Sequence, residues 1–497
     1  MSAGRATLLV FIGVFAAGLL LFSRHNDFPF YYHPDEPGKV GQVIKNKRNL
    51  HHPLLMLTTV DLARRTTLWG DAKKDPQRVV EVGRWMTAAF AAIAAAALAA
   101  LANRVHGMVA GIAVGALCIA NPLLYELAHY FKEDPYLVAG LAVTCLALHR
   151  MSTAPDARGI ALLGAATGLA AAGKYVGFIL LPVAIAATLL AKSSPLPRTH
   201  RLGWLLGSFA IVWFALNWWV FKSPELLWQS LGEEANKAFG GEDGPTRSVP
   251  HSYYVAIQQT YSSGILWLGV ALWAILAIAR RIRVTFAEWV LLATALLLFA
   301  IFTFTPKTSP RYHLPTSIAI SYFAAIGAIG TARLLARNHS RLAAALGAVF
   351  AMGLLIPEAQ KLRIRADGFA HDDRVDLESF VRTQLAANTV IAQDESSNLP
   401  EPDRRWEHAG RPALPQRIVG KKQIADHADL AGLRAEGVTH VAICARTYQR
   451  FLSADDTPER RFYEAALKLG TIVFSREPGI ITYLQPGLSL IDITQLK

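Results

Sequence analysis

Long apolar runs alternate with short polar ones over roughly the first seven-tenths of the chain. They recur near residues 6–22, 79–102, 107–125, 135–149, 159–173, 176–191, 202–220, 263–279, 286–304, 314–333 and 342–357. An α-helix needs about 20 apolar residues to cross about 30 Å of hydrocarbon. Inside lipid every backbone polar group requires an internal partner, so such runs must be helices. The pattern predicts a mainly α, polytopic membrane protein with about eleven transmembrane helices. Only Gly173-Lys174-Tyr175 separates the fifth run from the sixth, so their division rests on charge.

From about residue 358 the pattern changes to short strands alternating with amphipathic helices. Asp376 to Ala387, Lys422 to Glu436 and Arg460 to Leu469 read as helices. Thr389 to Asp394, Thr439 to Ala445, Thr471 to Ser475 and Ile480 to Leu484 read as strands. That alternation predicts a small soluble α/β domain over 358–497, after a membrane domain over 1–357. The tail has no Gly-rich phosphate fingerprint, and no internal repeat of an inverted-repeat transporter is visible.

The chain is 53% hydrophobic and 18% charged, with a net charge of +13. A basic balance can mean nucleic-acid binding, but here the basic residues fall mostly in short loops between apolar helices. Arg5, Arg104, Arg150, Arg158, Lys192, Arg198, Arg201, Arg280, Arg281, Arg283, Arg333, Arg337 and Arg341 all lie in one alternate set of loops when the fifth and sixth helices are counted separately. By the positive-inside rule that set is cytoplasmic. Merging the two helices would scatter the later arginines onto the other side. The outward set then holds a long first loop (23–78), the Phe131–Pro135 turn, Lys174, the Phe221–Ser262 and Thr305–Leu314 loops, and the C-terminal domain. Trp213, Trp218 and Trp219 stand at the outer end of the seventh helix, where an aromatic belt belongs. The first run, Leu8 to Phe22, lacks a clear small-residue cleavage site and reads as a retained helix. The three cysteines, Cys118, Cys145 and Cys444, have no metal or disulfide spacing.

Ionisable residues beside membrane helices are costly and tend to mark function. Two acidic motifs collect on the outer side, Tyr31-Tyr32-His33-Pro34-Asp35-Glu36-Pro37 and Tyr130-Phe131-Lys132-Glu133-Asp134-Pro135. Prolines in both suit tight, rigid turns. Taken singly, each motif reads sooner as solvated loop charge; two on one face, each against a helix end, point to chemistry. Sugar transfer from a phosphate carrier needs a base for the acceptor hydroxyl and cations for the departing phosphate. Asp35 is the candidate base. Glu36, Glu133 and Asp134 are candidates to orient the acceptor or share its proton. Lys174, Lys307, Arg311 and Tyr312, at outer helix ends, are candidates to hold the phosphate. The competing reading of each cation is snorkelling to the headgroup layer. No cofactor follows from the sequence. His33, His51, His52, His129, His251 and His313 also face outward, which leaves a divalent metal open, yet no ligand spacing supports one and none is assigned.

These residues resemble a known family. The chain is similar to GT-C-type membrane glycosyltransferases, in particular to bacterial relatives of the dolichyl-phosphate-mannose protein mannosyltransferases and of the aminoarabinose transferase that modifies lipid A. The resemblance runs over roughly 6–335. It is carried in order by His33-Pro34-Asp35-Glu36, His51-His52-Pro53-Leu54-Leu55, Arg84 in Val82-Gly83-Arg84-Trp85, Asn121-Pro122, Glu133-Asp134, Gly173-Lys174-Tyr175 with Leu181-Pro182, and Arg311-Tyr312-His313-Leu314-Pro315. Leu54 departs from the family's second proline. The second acidic position has two candidates, Glu133 and Asp134.

The resemblance implies a polyprenyl-phosphate-linked sugar donor, an outward-facing site and inversion at the anomeric carbon. Asp35 would match the catalytic aspartate, Asp134 or Glu133 the second acid, and Lys174 and Arg311 the cations near the donor phosphate. The implied partners are that donor, membrane lipid, and an acceptor that is a lipid, a glycan or a protein; nucleic acid is not among them. The implied location is the cytoplasmic (inner) membrane, with the site and C-terminal domain extracytoplasmic. The rival reading is a secondary transporter or flippase, whose site would sit near the bilayer midplane at broken helices rather than at helix ends on one face. The C-terminal domain reads as a lid or docking platform, and the Gly-rich Glu233–Pro250 loop as another lid.

Overall fold

The computed structural model describes residues 3–29, 31–66, 75–191, 193–240, 260–304, 309–336, 339–401, 411–420, 424–426, 429–453 and 456–495. The chain divides into two compact units. One comprises Met1–Asn26 and Gly38–Leu362, the other Asp27–Pro37 and Arg363–Lys497.

The helices run in order as α1 (Ala3–Phe22), α2 (Glu36–Ile44), α3 (Leu55–Ala63), α4 (Pro76–His106), α5 (Met108–Ile119), α6 (Pro122–Ala128), α7 (Asp134–Thr153) and α8 (Ala157–Gly173). There follow α9 (Leu180–Leu190), α10 (Arg198–Leu216), α11 (Pro224–Gly240), α12 (Ile265–Ile278), α13 (Phe286–Phe304), α14 (Leu314–Ala336) and α15 (Ser340–Phe369). Each of the eleven apolar runs is helical. Among the described residues, six helices are long and apolar enough to cross a membrane, and seven if the bent pair α5 and α6 is one span. Three more apolar helices, Ala157–Gly173, Tyr175–Leu190 and Ile265–Ile278, are shorter. The protein is therefore a multi-pass membrane protein. The run expected to end near 357 continues to Phe369, with Pro357 inside the helix. Proline removes one helical N–H, and its ring presses on the carbonyl four residues earlier; that residue is Gly353.

Two sequence features shape this unit. Asn121 adopts an extended backbone and accepts from the N–H groups of Leu123 and Leu124, so it caps α6, while Pro122 lacks the N–H that would continue α5. The two helices meet at 59°. The Asn121 amide also donates to Ser317 Oγ on α14 at 2.8 Å. The second feature is small-residue packing of α7 on α8 and of α8 on α10. A Cβ on Gly140 would lie 2.3 Å from Ala170 Cα, and one on Gly173 would lie 2.9 Å from Tyr136 C. Such contacts let helix backbones approach closely in lipid.

In the second unit α16 (Asp373–Gln384) leads to a five-stranded sheet, β1 (Val390–Gln393), β2 (Arg417–Gly420), β3 (His440–Cys444), β4 (Thr471–Arg476) and β5 (Leu488–Asp492). Its order is β2-β1-β3-β5-β4. β1 runs parallel to β2 and β3, whereas β5 is antiparallel to β3 and β4. Both faces are covered, one by α17 (Leu430–Ala435) and α19 (Pro458–Leu469) and the other by α16, with α18 (Ala445–Leu452) between α17 and α19 in the chain. Alternate β3 residues serve the two cores: Val441 and Ile443 join Phe462 and Ile491, while Ala442 and Cys444 join Leu377 and Leu490.

The expected α/β tail is thus present, with local differences. The expected strand at 480–484 is a turn closed by Leu484 N–H and Gln485 N–H on the Ile481 carbonyl; its Ile481 and Leu484 are buried there rather than in a ladder. The final strand instead follows Gly487, whose φ of +70° suits a glycine. The helix expected over 422–436 reduces to a short turn at Ile424–Asp426 and α17, because Asp429 caps α17 by accepting from Gly432 N–H at 2.7 Å; residues 421–423 and 427–428 lie outside the described residues.

Candidate active site

The second acidic motif lies between α6 and α7. Before it, His129 Nδ1 lies 2.7 Å from the Tyr125 carbonyl oxygen and Nε2 lies 2.8 Å from that of Arg24, and Arg84 donates to the Asn26 carbonyl at 2.9 Å. These contacts tie the turn to the end of α1. Glu133 precedes α7 and is buried, with both oxygens engaged. Lys39 on α2 donates to Oε2 at 2.7 Å and to the Phe131 carbonyl at 2.8 Å, and His52 Nε2 lies 3.2 Å from Oε1. Burial opposes ionisation of Glu133, but His52, Lys39, Lys132 and Lys174 hold it well below the usual carboxylate range. Burial lowers the His52 imidazolium against the opposing pull of Glu133.

Asp134 opens α7, where the helix N-terminus favours a carboxylate. Lys174 caps α8 in an extended conformation, φ −158° and ψ 141°. Because Gly173 lets the end of α8 rest on the Tyr136–Leu137 backbone, Lys174 Nζ reaches Asp134 Oδ1 at 2.6 Å, with side-chain exposures of 13% and 3%. Burial would lower the Lys174 ammonium, yet Asp134 and Glu133 raise it above its ordinary value. Lys174 Nζ also lies 5.0 Å from the Tyr312 ring centroid. Tyr312 stands in a turn, Pro310–His313, that leads into α14, and stacks on Phe302 at 4.7 Å. The Arg311 guanidinium lies 5.2 Å from the same ring and donates to the Tyr312 hydroxyl at 3.3 Å. Lys132 is buried nearby, and burial lowers its ammonium to about 8.

Of the residues expected from sequence, Glu133, Asp134, Lys174, Arg311 and Tyr312 are therefore together. Lys307 lies outside the described residues, as do His251 and much of the loop 233–250. Asp35 and Glu36 belong to the second unit. There Asp35 is exposed and Glu36 buried, and His33 Nδ1 accepts the Asp35 N–H at 3.2 Å. Among the described residues no group of three or more His, Cys, Asp or Glu is placed to hold a metal.

Lys39 is the cation that sequence reasoning missed. Lys132 was visible inside its motif, but its burial was not.

One distinction separates the two acids. Asp134 Oδ2 is buried and has no hydrogen-bond partner among the described residues, whereas both oxygens of Glu133 are taken. A buried acceptor without a donor is costly, so Asp134 is left able to receive a hydroxyl or another donor. Lys174 has three N–H groups, and one is committed to Asp134.

The chain has the fold of a GT-C-type membrane glycosyltransferase. It matches the structure of ArnT from Cupriavidus metallidurans bound to undecaprenyl phosphate over 100% of both chains, with a TM-score of 0.54 at 14% sequence identity. The apo form of that protein matches over 99% of this chain and 98% of its own, with a TM-score of 0.49 and 14% identity. The apo oligosaccharyltransferase of Archaeoglobus fulgidus matches over 89% of this chain and 70% of its own, with a TM-score of 0.47 and 14% identity. Residues 78–219 match the family model of dolichyl-phosphate-mannose-protein mannosyltransferase. That segment contains Arg84, Glu133, Asp134 and Lys174. Among curated proteins, none matches.

Proposed function

We propose that the protein transfers a sugar from a polyprenyl-phosphate donor to a hydroxyl of a lipid, glycan or protein at the outer face of the cytoplasmic membrane. The observation that carries this reading is the buried Asp134–Lys174 pair beside Arg311 and Tyr312, with one Asp134 oxygen unsatisfied, in a GT-C-type fold. It is a site that can hold an anion and a hydroxyl together. The lipid named in the ArnT structure, undecaprenyl phosphate, fits the donor class.

In the proposed reaction the acceptor oxygen attacks the anomeric carbon, and the bond from that carbon to the phosphate oxygen breaks with inversion. The proton goes to the general base, the role that the family resemblance gives Asp35, and the polyprenyl phosphate leaves with the electron pair. Arg311 offers a planar fork suited to phosphate oxygens, and Lys174 a point charge. Asp134 Oδ2 takes a hydrogen bond from the acceptor. Glu133 is a structural anchor that keeps Lys39 and His52 in place.

The test is mass spectrometry of lipid-linked sugars in native membranes, comparing the wild-type chain with Asp35→Asn. Accumulation of one polyprenyl-phosphate sugar in the variant is expected and identifies the donor. An unchanged carrier pool, with the variant folded and present, refutes the reading and favours the transport alternative.

A further inference from the structure

Around Asp35 the chain is fixed on both sides of an exposed carboxylate. Tyr32 and His33 are each 4% exposed and Glu36 is 0% exposed. The fixing groups come from the C-terminal residues of the same compact unit. Arg411 donates to the Tyr31 hydroxyl at 2.7 Å, and its Nε donates to Glu378 Oε2 on α16 at 2.7 Å. Arg382, one turn along α16, donates to the other Glu378 oxygen at 2.9 Å. Arg374, 2% exposed, lies 4.1 Å over the Tyr32 ring and donates to the Ser396 and Tyr483 carbonyls. The Tyr31 and Tyr32 rings meet edge to face at 5.1 Å. His33 lies 4.6 Å from the Tyr483 ring, and the Arg446 guanidinium lies 4.5 Å from the same ring. The acceptor role of His33 Nδ1 toward the Asp35 N–H requires the neutral ring with its proton on Nε2.

Two arginines are a costly way to build a core, since burying a charge is unfavourable unless it is paired and bonded. Apolar residues would fill the same space. What arginine adds is direction, because its planar fork fixes several partners at once. A reacting carboxylate has to be held within about 0.5 Å of its working position by groups that are themselves locked.

We infer that the C-terminal domain is the positioning frame of Asp35, with Arg411 acting through Tyr31, Arg374 through Tyr32, and Tyr483 through His33. The inference rests on the reading of Asp35 as the base. On this inference the domain is a support for Asp35 within its own compact unit, in place of a lid or platform. Arg411 and Tyr31 are positioning residues. Truncating the domain would remove the reaction and not merely its acceptor preference.

The test uses the full chain in detergent or nanodiscs, with Tyr31→Phe, Arg411→Gln, the double variant and Asp35→Asn. Tyr31→Phe removes one hydroxyl and keeps the ring, so it reports even where Arg411→Gln fails to fold. Expected are faster backbone hydrogen exchange over residues 31–36 and a kcat lowered about tenfold in each single variant, with KM for the donor little changed. The double variant should be no slower than the worse single one. Unchanged exchange in the single variants overturns the frame whatever the activity. Faster exchange with unchanged kcat overturns its positioning role. Full activity in Asp35→Asn overturns the reading of the base instead, and the exchange data then judge the frame alone.

Discussion

Replacing Lys174 by methionine tests whether the buried pair at the head of α7 behaves as a charge pair. In the wild type Asp134 Oδ1 receives Lys174 at 2.6 Å while Oδ2 has no hydrogen-bond partner among the described residues, so the substitution leaves a carboxylate at 3% exposure without a donor from those residues on either oxygen. Removing one member of a buried pair costs about 3–5 kcal/mol, most of it from the charge left behind. The lost contact with the Tyr312 ring at 5.0 Å adds roughly 0.5–1 kcal/mol. A total of about 3.5–6 kcal/mol is expected. Asp134→Asn/Lys174→Met removes both charges and should recover most of that loss, to within about 1–2 kcal/mol of wild type. The assay is a denaturant titration in mild detergent on the four proteins of the cycle, followed by tryptophan fluorescence. A double variant as unstable as the sum of the singles refutes the argument, since the two charges would then not compensate each other.

Further outcomes follow from the same geometry. Gly173→Ala would place a Cβ 2.9 Å from the Tyr136 backbone and should cost about 1–3 kcal/mol by overpacking; Gly203→Ala, inside α10 with nothing within 4 Å, is the control in the same denaturant titration and should be unchanged or up to about 1 kcal/mol more stable. Asn121→Ala loses a helix cap and the bond to Ser317 and should lower stability by about 1–2 kcal/mol. In the C-terminal domain burial pushes the Asp394 carboxyl from 3.8 up to about 6, although Cys444 N–H, Ile424 N–H and the Tyr463 hydroxyl all donate to it. A carboxyl whose folded value is raised holds its proton more tightly when folded. It therefore disfavours folding progressively as pH rises from about 4 to about 6, by roughly 3 kcal/mol for two units. Hydrogen exchange of residues 440–444 should quicken across that window in the wild type and show a flatter pH dependence in Asp394→Asn; an identical dependence in both contradicts the assignment.

Periodicity carried the secondary structure where one environment dominated. In the membrane unit the long apolar runs had no competing partner, so each of them is helical. In the tail, alternation identified β3 and α19, but Ile481 and Leu484 are equally apolar in a buried turn, and pattern cannot tell a turn's core from a ladder's. The short β2, Arg417–Gly420, gave too brief a signal to register. At the site, Asp134 and Lys174 were legible because each sits where a charge interrupts apolar sequence. Lys39 was not legible, since its partner Glu133 is 94 residues away and local spacing cannot show a long-range ion pair. The same reason hid Arg411, whose meaning depends on Tyr31, 380 residues earlier.

The contact of Gly173 with the Tyr136–Leu137 main chain acts as a hard stop. The separation of Asp134 and Lys174 is gauged by one backbone resting on another, and side-chain chemistry elsewhere on the two helices does not enter that measurement. Residues on the lipid-facing surfaces of α7 and α8 are therefore free to drift with the thickness and composition of the bilayer. A lineage can adapt this protein to a different membrane, or an engineer can resurface it, while the distance between the two charges stays as the glycine sets it.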